Sequence, residues 1–187
     1  MSHVRAPLSI AITAGGKSAR MGMDKGLIPF MGKPLVMYII DQVSELSDDV
    51  FIISNDPNYP SVKYRVLPDI FPGIGALGGI HSSLAYARQD LCLVLACDMP
   101  FIHIGLIEYL LEQTKEVDAI VPELAPEQLE PFRGIYRKTC MSAIEQCIQI
   151  GERRATSFLS QVTTKLVPRT VQEKINPTLD TFFNINT

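Results

Sequence analysis

The sequence predicts an α/β fold: one three-layer domain with a mostly parallel central sheet flanked by helices. Strand-like and helix-like stretches alternate from the N-terminus, the pattern of helices packed on a largely parallel sheet. The chain has 187 residues, a length suited to one such domain. It is 47% hydrophobic and 20% charged, so it can bury a core and lacks the polarity that prevents folding.

Taken in order, Ser9 to Thr13 reads as a first buried strand, Leu35 to Leu46 as a helix, Val50 to Ser54 as a second strand and Tyr64 to Leu67 as a third. A Pro- and Gly-rich loop follows. Gly79 to Arg88 reads as a helix, Leu91 to Ala96 as a central strand, Ile104 to Gln113 as a helix and Val117 to Val121 as a further strand. Beyond Pro122 the pattern loosens. Leu124 to Pro131 reads as a loop, Phe132 to Tyr136 as a strand, and Cys140 to Ile150 as a helix with Met141, Ile144, Cys147 and Ile148 on one face. No internal repeat, low-complexity tract or linker divides residues 1–187, so we expect one domain, whose pattern changes at about residue 122.

The 17 Lys and Arg against 20 Asp and Glu give a net charge of -3, which argues against broad affinity for nucleic acid. Any anion site must be local. No apolar run nears the roughly 20 residues of a membrane helix, since Leu91 to Cys97 is stopped by Asp98. Leu8 to Ala14 is too short for the apolar centre of a secretory signal and leads into Lys17 and Arg20 instead of a cleavage site. Cys92, Cys97, Cys140 and Cys147 contain no C-x-x-C, and Cys92 and Cys97 fall on opposite faces of a strand, so buried reduced thiols in a soluble cytosolic protein are expected.

Chemistry concentrates just past the first strand. Ala14-Gly15-Gly16 places two glycines at a strand's C-terminal end, where open parallel sheets bind ligands and where backbone N–H groups can cradle phosphate oxygens. Arg20 and Lys25 add positive charge suited to a triphosphate whose pyrophosphate departs. The segment is not a Walker loop, because no G-x-x-x-x-G-K-[ST] fits it. Asp98 follows the most apolar strand, so its carboxylate is presented at the same sheet edge, where magnesium would take it together with phosphate oxygens and water. The plainer alternative is a helix N-terminal aspartate ahead of Pro100.

The run Ala14-Gly15-Gly16-Lys17-Ser18-Ala19-Arg20-Met21-Gly22-Met23-Asp24-Lys25 resembles the signature A-G-G-x-S-x-R-M-G-x-D-K of the molybdenum cofactor guanylyltransferases, a branch of the nucleotidyltransferase superfamily with a Rossmann-like fold. The likeness continues through Gly32 to Leu35, Ser54-Asn55, Asp69, Pro72 to Gly79, Cys97 to Pro100, Gly151 to Arg154 and Asn184 to Thr187. It implies transfer of GMP from GTP to the molybdenum–molybdopterin cofactor, with Mg2+ held by Asp98. The nucleotide-binding half would run to about residue 122 and the acceptor-binding half over 123–187; Thr13, Ala14 and Gly15 would line the nucleotide loop, Gly16 and Gly78 would also belong to the binding site, Lys25 would hold the phosphates, Arg20, Lys25 and Asp98 would act in catalysis, and Asn55 and Asp69 would contact the nucleoside, Asp69 accepting from the guanine edge. It also implies transient contact with molybdoenzyme apoproteins or their chaperones.

Arg153 and Arg154 pair two guanidinium groups suited to phosphate, and the family places its acceptor toward this half. At a helix boundary they are equally a solvated face. Asn184 and Asn186 alternate along the strand-like end Phe182 to Asn186 and so would share a side, able to bind a pterin edge or cap a loop. Three features depart from the family: Thr13 stands where leucine is usual, Arg133 lies in a variable segment, and the chain stops at Thr187, where relatives continue into a closing helix. They bear on acceptor turnover more than on nucleotide binding.

Three other readings compete. Gly73-Ile74-Gly75-Ala76-Leu77-Gly78 matches the dinucleotide fingerprint G-x-G-x-x-G of oxidoreductases, but Pro68 to Pro72 intervene after the strand where that fingerprint needs a tight turn. Related cytidylyltransferases carry A-A-G in place of Ala14-Gly15-Gly16, so the second glycine favours GTP over CTP. A nucleotide-binding adaptor would keep the loop without the chemistry, against which stand Lys25 and Asp98.

Overall fold

The computed structural model describes residues 7–14, 24–56, 59 and 63–185. The expected sites Gly15, Gly16, Arg20 and Asn186 lie outside these described residues.

The strands are β1 (Leu8–Thr13), β2 (Pro29–Phe30), β3 (Lys33–Pro34), β4 (Asp49–Ile53), β5 (Arg65–Leu67), β6 (Leu91–Ala96), β7 (Ala119–Ala125), β8 (Gln128–Leu129), β9 (Ile135–Arg137) and β10 (Thr164–Val167). The helices are α1 (Leu35–Val43), α2 (Ala76–Tyr86), α3 (Ile104–Glu112), α4 (Met141–Gln149) and α5 (Arg169–Ile175). An eight-stranded sheet runs in the order β10-β7-β9-β6-β1-β4-β5, with β8 paired to β7. β1 pairs in parallel with both β4 and β6, β4 with β5, and β7 with β10, whereas β9 lies antiparallel between β6 and β7. The sheet is therefore mostly parallel, as expected.

Strand alternation makes the layers. Leu8, Ile10 and Ile12 of β1, Val50 and Ile52 of β4, and Leu93 and Leu95 of β6 pack with Val36, Ile39, Ile40 and Val43 of α1 and Leu106, Ile107 and Leu110 of α3. On the other face Ala11, Phe51, Ile53, Cys92 and Val94 meet Leu77, Ile80 and Leu84 of α2 and Ala143, Ile144 and Cys147 of α4. Both faces are covered, which is why these parallel strands read as near-continuous apolar runs. Cys92 and Cys97 enter opposite cores, and all four cysteines are buried and free. Among the described residues no helix is long and apolar enough to cross a membrane.

Several expected elements shift or change. α2 begins at Ala76, three residues ahead of the expected Gly79, because Gly75 takes φ +82 at its entrance. Gly78 lies inside the helix, where a Cβ would come within 3.1 Å of the Phe71 carbonyl, so glycine there permits close packing. α1 stops at Val43, and a tight turn in which the Leu46 N–H donates to the Val43 carbonyl (3.0 Å) replaces its expected end. Leu124 to Pro131 is not a plain loop: β7 runs to Ala125 and pairs with β8 across a turn in which Glu127 takes φ +65. A glutamate in that region gives no turn signal of the kind glycine gives.

The expected strand Phe132 to Tyr136 divides into a 3-10 turn over Pro131–Arg133 and β9, because the Glu130 carboxylate accepts from the Phe132 N–H at 3.1 Å. The strand-like end Phe182 to Asn186 is overturned too. Leu179 takes φ +50, Asp180–Phe182 form a 3-10 turn, and 183–185 run outside the sheet, so alternation cannot set the facing of Asn184. The β2–β3 ribbon, β10 and α5 are not among the elements that the sequence predicts. The ribbon turns on Met31 (φ +49) and Gly32 (φ +85), the primed geometry favoured in two-residue hairpins.

Candidate active site

The chain passes from β1 to β4 and β5 on one side, then returns to place β6 on the other. The C-terminal ends of β1 and β6 thus flank the point where strand order reverses, where open α/β sheets form a ligand crevice. Thr13, Ala14, Asn55, Asp69, Asp98 and the turn bearing Lys25 gather on this edge. The Ala14 N–H donates to the Ile53 carbonyl (2.9 Å) and the Cys97 N–H to the Thr13 carbonyl (3.0 Å), which extends the ladder to the start of the expected phosphate loop. The Thr13 hydroxyl donates to the Leu95 carbonyl at 3.1 Å, so the threonine satisfies its polar atom inside the sheet.

Lys25 opens a 3-10 turn over Lys25–Leu27. Asp24 caps it, its Oδ1 accepting from the Gly26 N–H at 2.8 Å and the Tyr59 hydroxyl at 3.1 Å while Oδ2 accepts from the Ser54 hydroxyl at 2.7 Å. Gly26 packs so closely on Ala14 and Tyr59 that a Cβ would collide with the tyrosine hydroxyl. Burial and the Asp24 carboxylate push the Tyr59 phenol well above its ordinary pKa, so it stays a donor. In the sequence Asp24 is only a letter of the signature, yet here it ties the lysine turn to the end of β4. Its place before Lys25 in the signature is the available signal.

Lys25 Nζ lies 3.2 Å from Asp98 Oδ2, with the two side chains 26% and 22% exposed. Asp98 is not a helix cap: α3 starts six residues later, capped by His103, whose Nδ1 accepts from the Leu106 N–H at 3.2 Å. The turn bearing Asp98 is held from several sides. Gln42 on α1 donates to the Pro100 carbonyl at 2.8 Å and accepts from the Ile102 N–H at 3.2 Å. The Ile185 N–H donates to the Asp98 carbonyl at 2.7 Å, and Arg133 donates to the Met99 carbonyl.

A cavity of about 340 Å³ opens at the ends of β4 and β5, lined by Ser54, Asn55, Asp56, Tyr59, Val66 and Pro68, of which Ser54 and Tyr59 also hold Asp24, the residue before Lys25. Its volume lies within the usual range for small-molecule sites. Asn55 Oδ1 accepts from the Asp69 N–H at 2.9 Å, joining the two residues expected at the nucleoside. Asp69 Oδ1 accepts from the Ser82 hydroxyl at 2.6 Å and the Phe71 N–H at 3.2 Å, so α2 fixes this carboxylate. Ser82 escapes sequence reasoning, because nothing in a helical serine's local pattern reports a partner 13 residues earlier.

Arg153 and Arg154 are both exposed and follow a helix end closed by Gly151 (φ +84), with the Glu152 N–H donating to the Cys147 carbonyl at 2.9 Å. Arg153 Nη1 approaches the Gly73 carbonyl at 3.4 Å, while Asn184 is exposed near the Asp98 turn through its neighbour Ile185. Residues 73–78 start α2 from a loop well past β5, and Gly78 packs so near Asp69 that a Cβ on it would lie 3.4 Å from Asp69 Oδ1. The tight strand-to-helix turn of a dinucleotide fingerprint is absent there.

For magnesium, the donor chemistry fits: Lys25 occupies one oxygen of Asp98, and a hard cation needs only one or two carboxylates when phosphate oxygens and water complete its shell.

A mostly parallel sheet with a lysine–carboxylate pair at its strand-order reversal is the architecture of a nucleotidyltransferase. The chain belongs to the MobA-like NTP transferase domain family, whose model matches residues 10–166. A relative from Peptoclostridium acidaminophilum, named a probable molybdenum cofactor guanylyltransferase, is 33% identical over 96% of this chain and 84% of its own length. Among solved structures, molybdopterin-guanine dinucleotide biosynthesis protein A from Archaeoglobus fulgidus is 26% identical with a TM-score of 0.80, covering 96% of this chain and 92% of its own. The 2-C-methyl-D-erythritol 4-phosphate cytidylyltransferase of Thermus thermophilus, 18% identical with a TM-score of 0.68 over 96% of this chain and 92% of its own, shares the fold alone.

Proposed function

We propose that this chain transfers GMP from GTP to the molybdenum–molybdopterin cofactor, forming the guanine dinucleotide and releasing pyrophosphate. The observation that carries it is the Lys25–Asp98 pair, 3.2 Å apart, set at the strand-order reversal. The names of the relatives supply the guanylyl and molybdopterin specificities.

In the reaction a phosphate oxygen of the acceptor attacks the α-phosphorus of GTP. A new P–O bond forms, the α–β bridge breaks, and its electron pair leaves on pyrophosphate. The nucleophile is already an anion, so no general base is required. Lys25 neutralises charge on the phosphates and Asp24 holds the lysine turn in place, so the side chains contribute by positioning and electrostatics. Mg2+, held by Asp98 and phosphate oxygens, would supply Lewis-acid charge neutralisation. Asp69, pinned by Ser82, would accept from the N–H donors of the guanine edge, which adenine and uracil do not present in the same array. A cytoplasmic setting accords with four buried, free thiols.

The test is to offer GTP, CTP, ATP and UTP separately with magnesium and molybdopterin-bound acceptor, measuring pyrophosphate and dinucleotide. Turnover with GTP alone is the expected result. Preference for CTP would overturn the guanylyl assignment, and no product with any nucleotide beside a working control enzyme would overturn the activity.

A further inference from the structure

We propose that Arg133 is a positioning residue that latches the C-terminal segment 179–185 onto the Asp98–Pro100 turn and thereby fixes the Asp98 carboxylate against Lys25.

Arg133 ends the 3-10 turn before β9 and is only 3% exposed. It donates from Nη2 to the Met99 carbonyl, and from Nε at 3.2 Å and Nη2 at 3.1 Å to the Thr181 carbonyl. One planar guanidinium therefore bridges the residue after Asp98 to the 3-10 turn of the C-terminal segment. The bridge is closed four residues on, where the Ile185 N–H returns to the Asp98 carbonyl at 2.7 Å. Phe183 leans on Phe101 between these links, with ring centroids 6.4 Å apart. The segment also reaches the other half of the pair, since Ile185 lines a small cavity together with Lys25, Ile28 and Phe30.

Stability alone is a poor account of this arrangement. Burial pushes the guanidinium pKa down to about 10, with Glu130 and Asp98 as its nearby opposing charges, and Nη1 is buried without a partner among the described residues. A buried guanidinium with an unpaired Nη1 is weak evidence for net stability, although removing it alone leaves the Met99 and Thr181 carbonyls without their donor. What the guanidinium does supply is geometry, because its fixed fork holds two carbonyls of distant segments at once. Slack at Met99 moves Asp98, and a displacement of about 1 Å at a reacting centre costs about 100-fold in rate.

The kinetic part of the test rests on the proposed transferase reading; the exchange part does not. We would compare Arg133→Met and Arg133→Lys with the wild-type full chain. In Arg133→Met, hydrogen exchange at the Ile185 amide should accelerate about tenfold or more while amides of β1 and β6 keep their protection. With saturating GTP, magnesium and acceptor, kcat should fall about 10- to 100-fold while the KM for GTP moves less than about threefold, and Arg133→Lys should recover part of kcat and of the protection. Unchanged Ile185 exchange would overturn the latch, as would loss of protection throughout β1 and β6, which would make Arg133 an ordinary core residue. Restored exchange protection without any change in kcat between variants would overturn its role in positioning Asp98. If the wild-type chain makes no dinucleotide, the transferase reading fails by itself, and the exchange result still decides the latch.

Discussion

Replacing Lys25 with methionine separates the two things its ion pair could do. Opposite charges 3.2 Å apart attract by ~1 kcal/mol in water and by about 5 kcal/mol at an effective dielectric of 20. Both side chains are roughly a quarter exposed, so desolvation and screening offset much of that, and the net contribution to folding should be at most about 1 kcal/mol. Methionine keeps the apolar stem that packs beside Ile28 and Phe30. During the reaction the same ammonium faces phosphate charge that develops in a site of restricted water, where losing one such group costs ~3–4 kcal/mol of barrier, or about 100- to 1,000-fold in kcat. Urea unfolding and pyrophosphate release from GTP therefore test the reasoning together. A stability loss above about 2 kcal/mol would make Lys25 a structural residue, and turnover within about fivefold of wild type would remove it from the chemistry.

Asp24→Ala should show the opposite balance: it orphans the Gly26 N–H and the Ser54 and Tyr59 hydroxyls, so urea unfolding should report a loss of about 3 kcal/mol alongside reduced activity. Asp49 is buried, which alone would raise its pKa, but the Ser9 hydroxyl, the Arg88 N–H and Arg65 together hold it below the ordinary 3.8. Its contribution to stability is thus complete above the unfolded value and lost as pH falls through the lower folded one; Asp49→Asn should destabilise the protein at pH 7, and the gap from wild type should close in acid below pH ~4 when unfolding is followed against pH. Ser82→Ala removes the shorter of the two hydrogen bonds to Asp69 Oδ1, leaving that from the Phe71 N–H, and the ratio of kcat/KM for GTP over ATP should fall about tenfold, with an unchanged ratio refuting the role of Ser82 in fixing Asp69 at the base.

Periodicity alone determined the α/β class, the limits of β6 and the positions of the principal helices, because burial on both faces leaves long apolar runs that local reading detects. The signature around Lys25 and the carboxylate after β6 likewise marked two of the site's charges before any contact was known. Elements whose stability comes from distant partners were not legible. β8 depends on Glu127 accepting a positive φ, the antiparallel placement of β9, though not the existence of a strand there, on insertion between β6 and β7, and the C-terminal segment on carbonyls offered by the Asp98 turn and held by Arg133. Asp24, Ser82 and Arg133 are ordinary polar letters in sequence; only the tertiary structure set their donors and acceptors against partners far along the chain, since a hydrogen bond is decided by distance and direction in space.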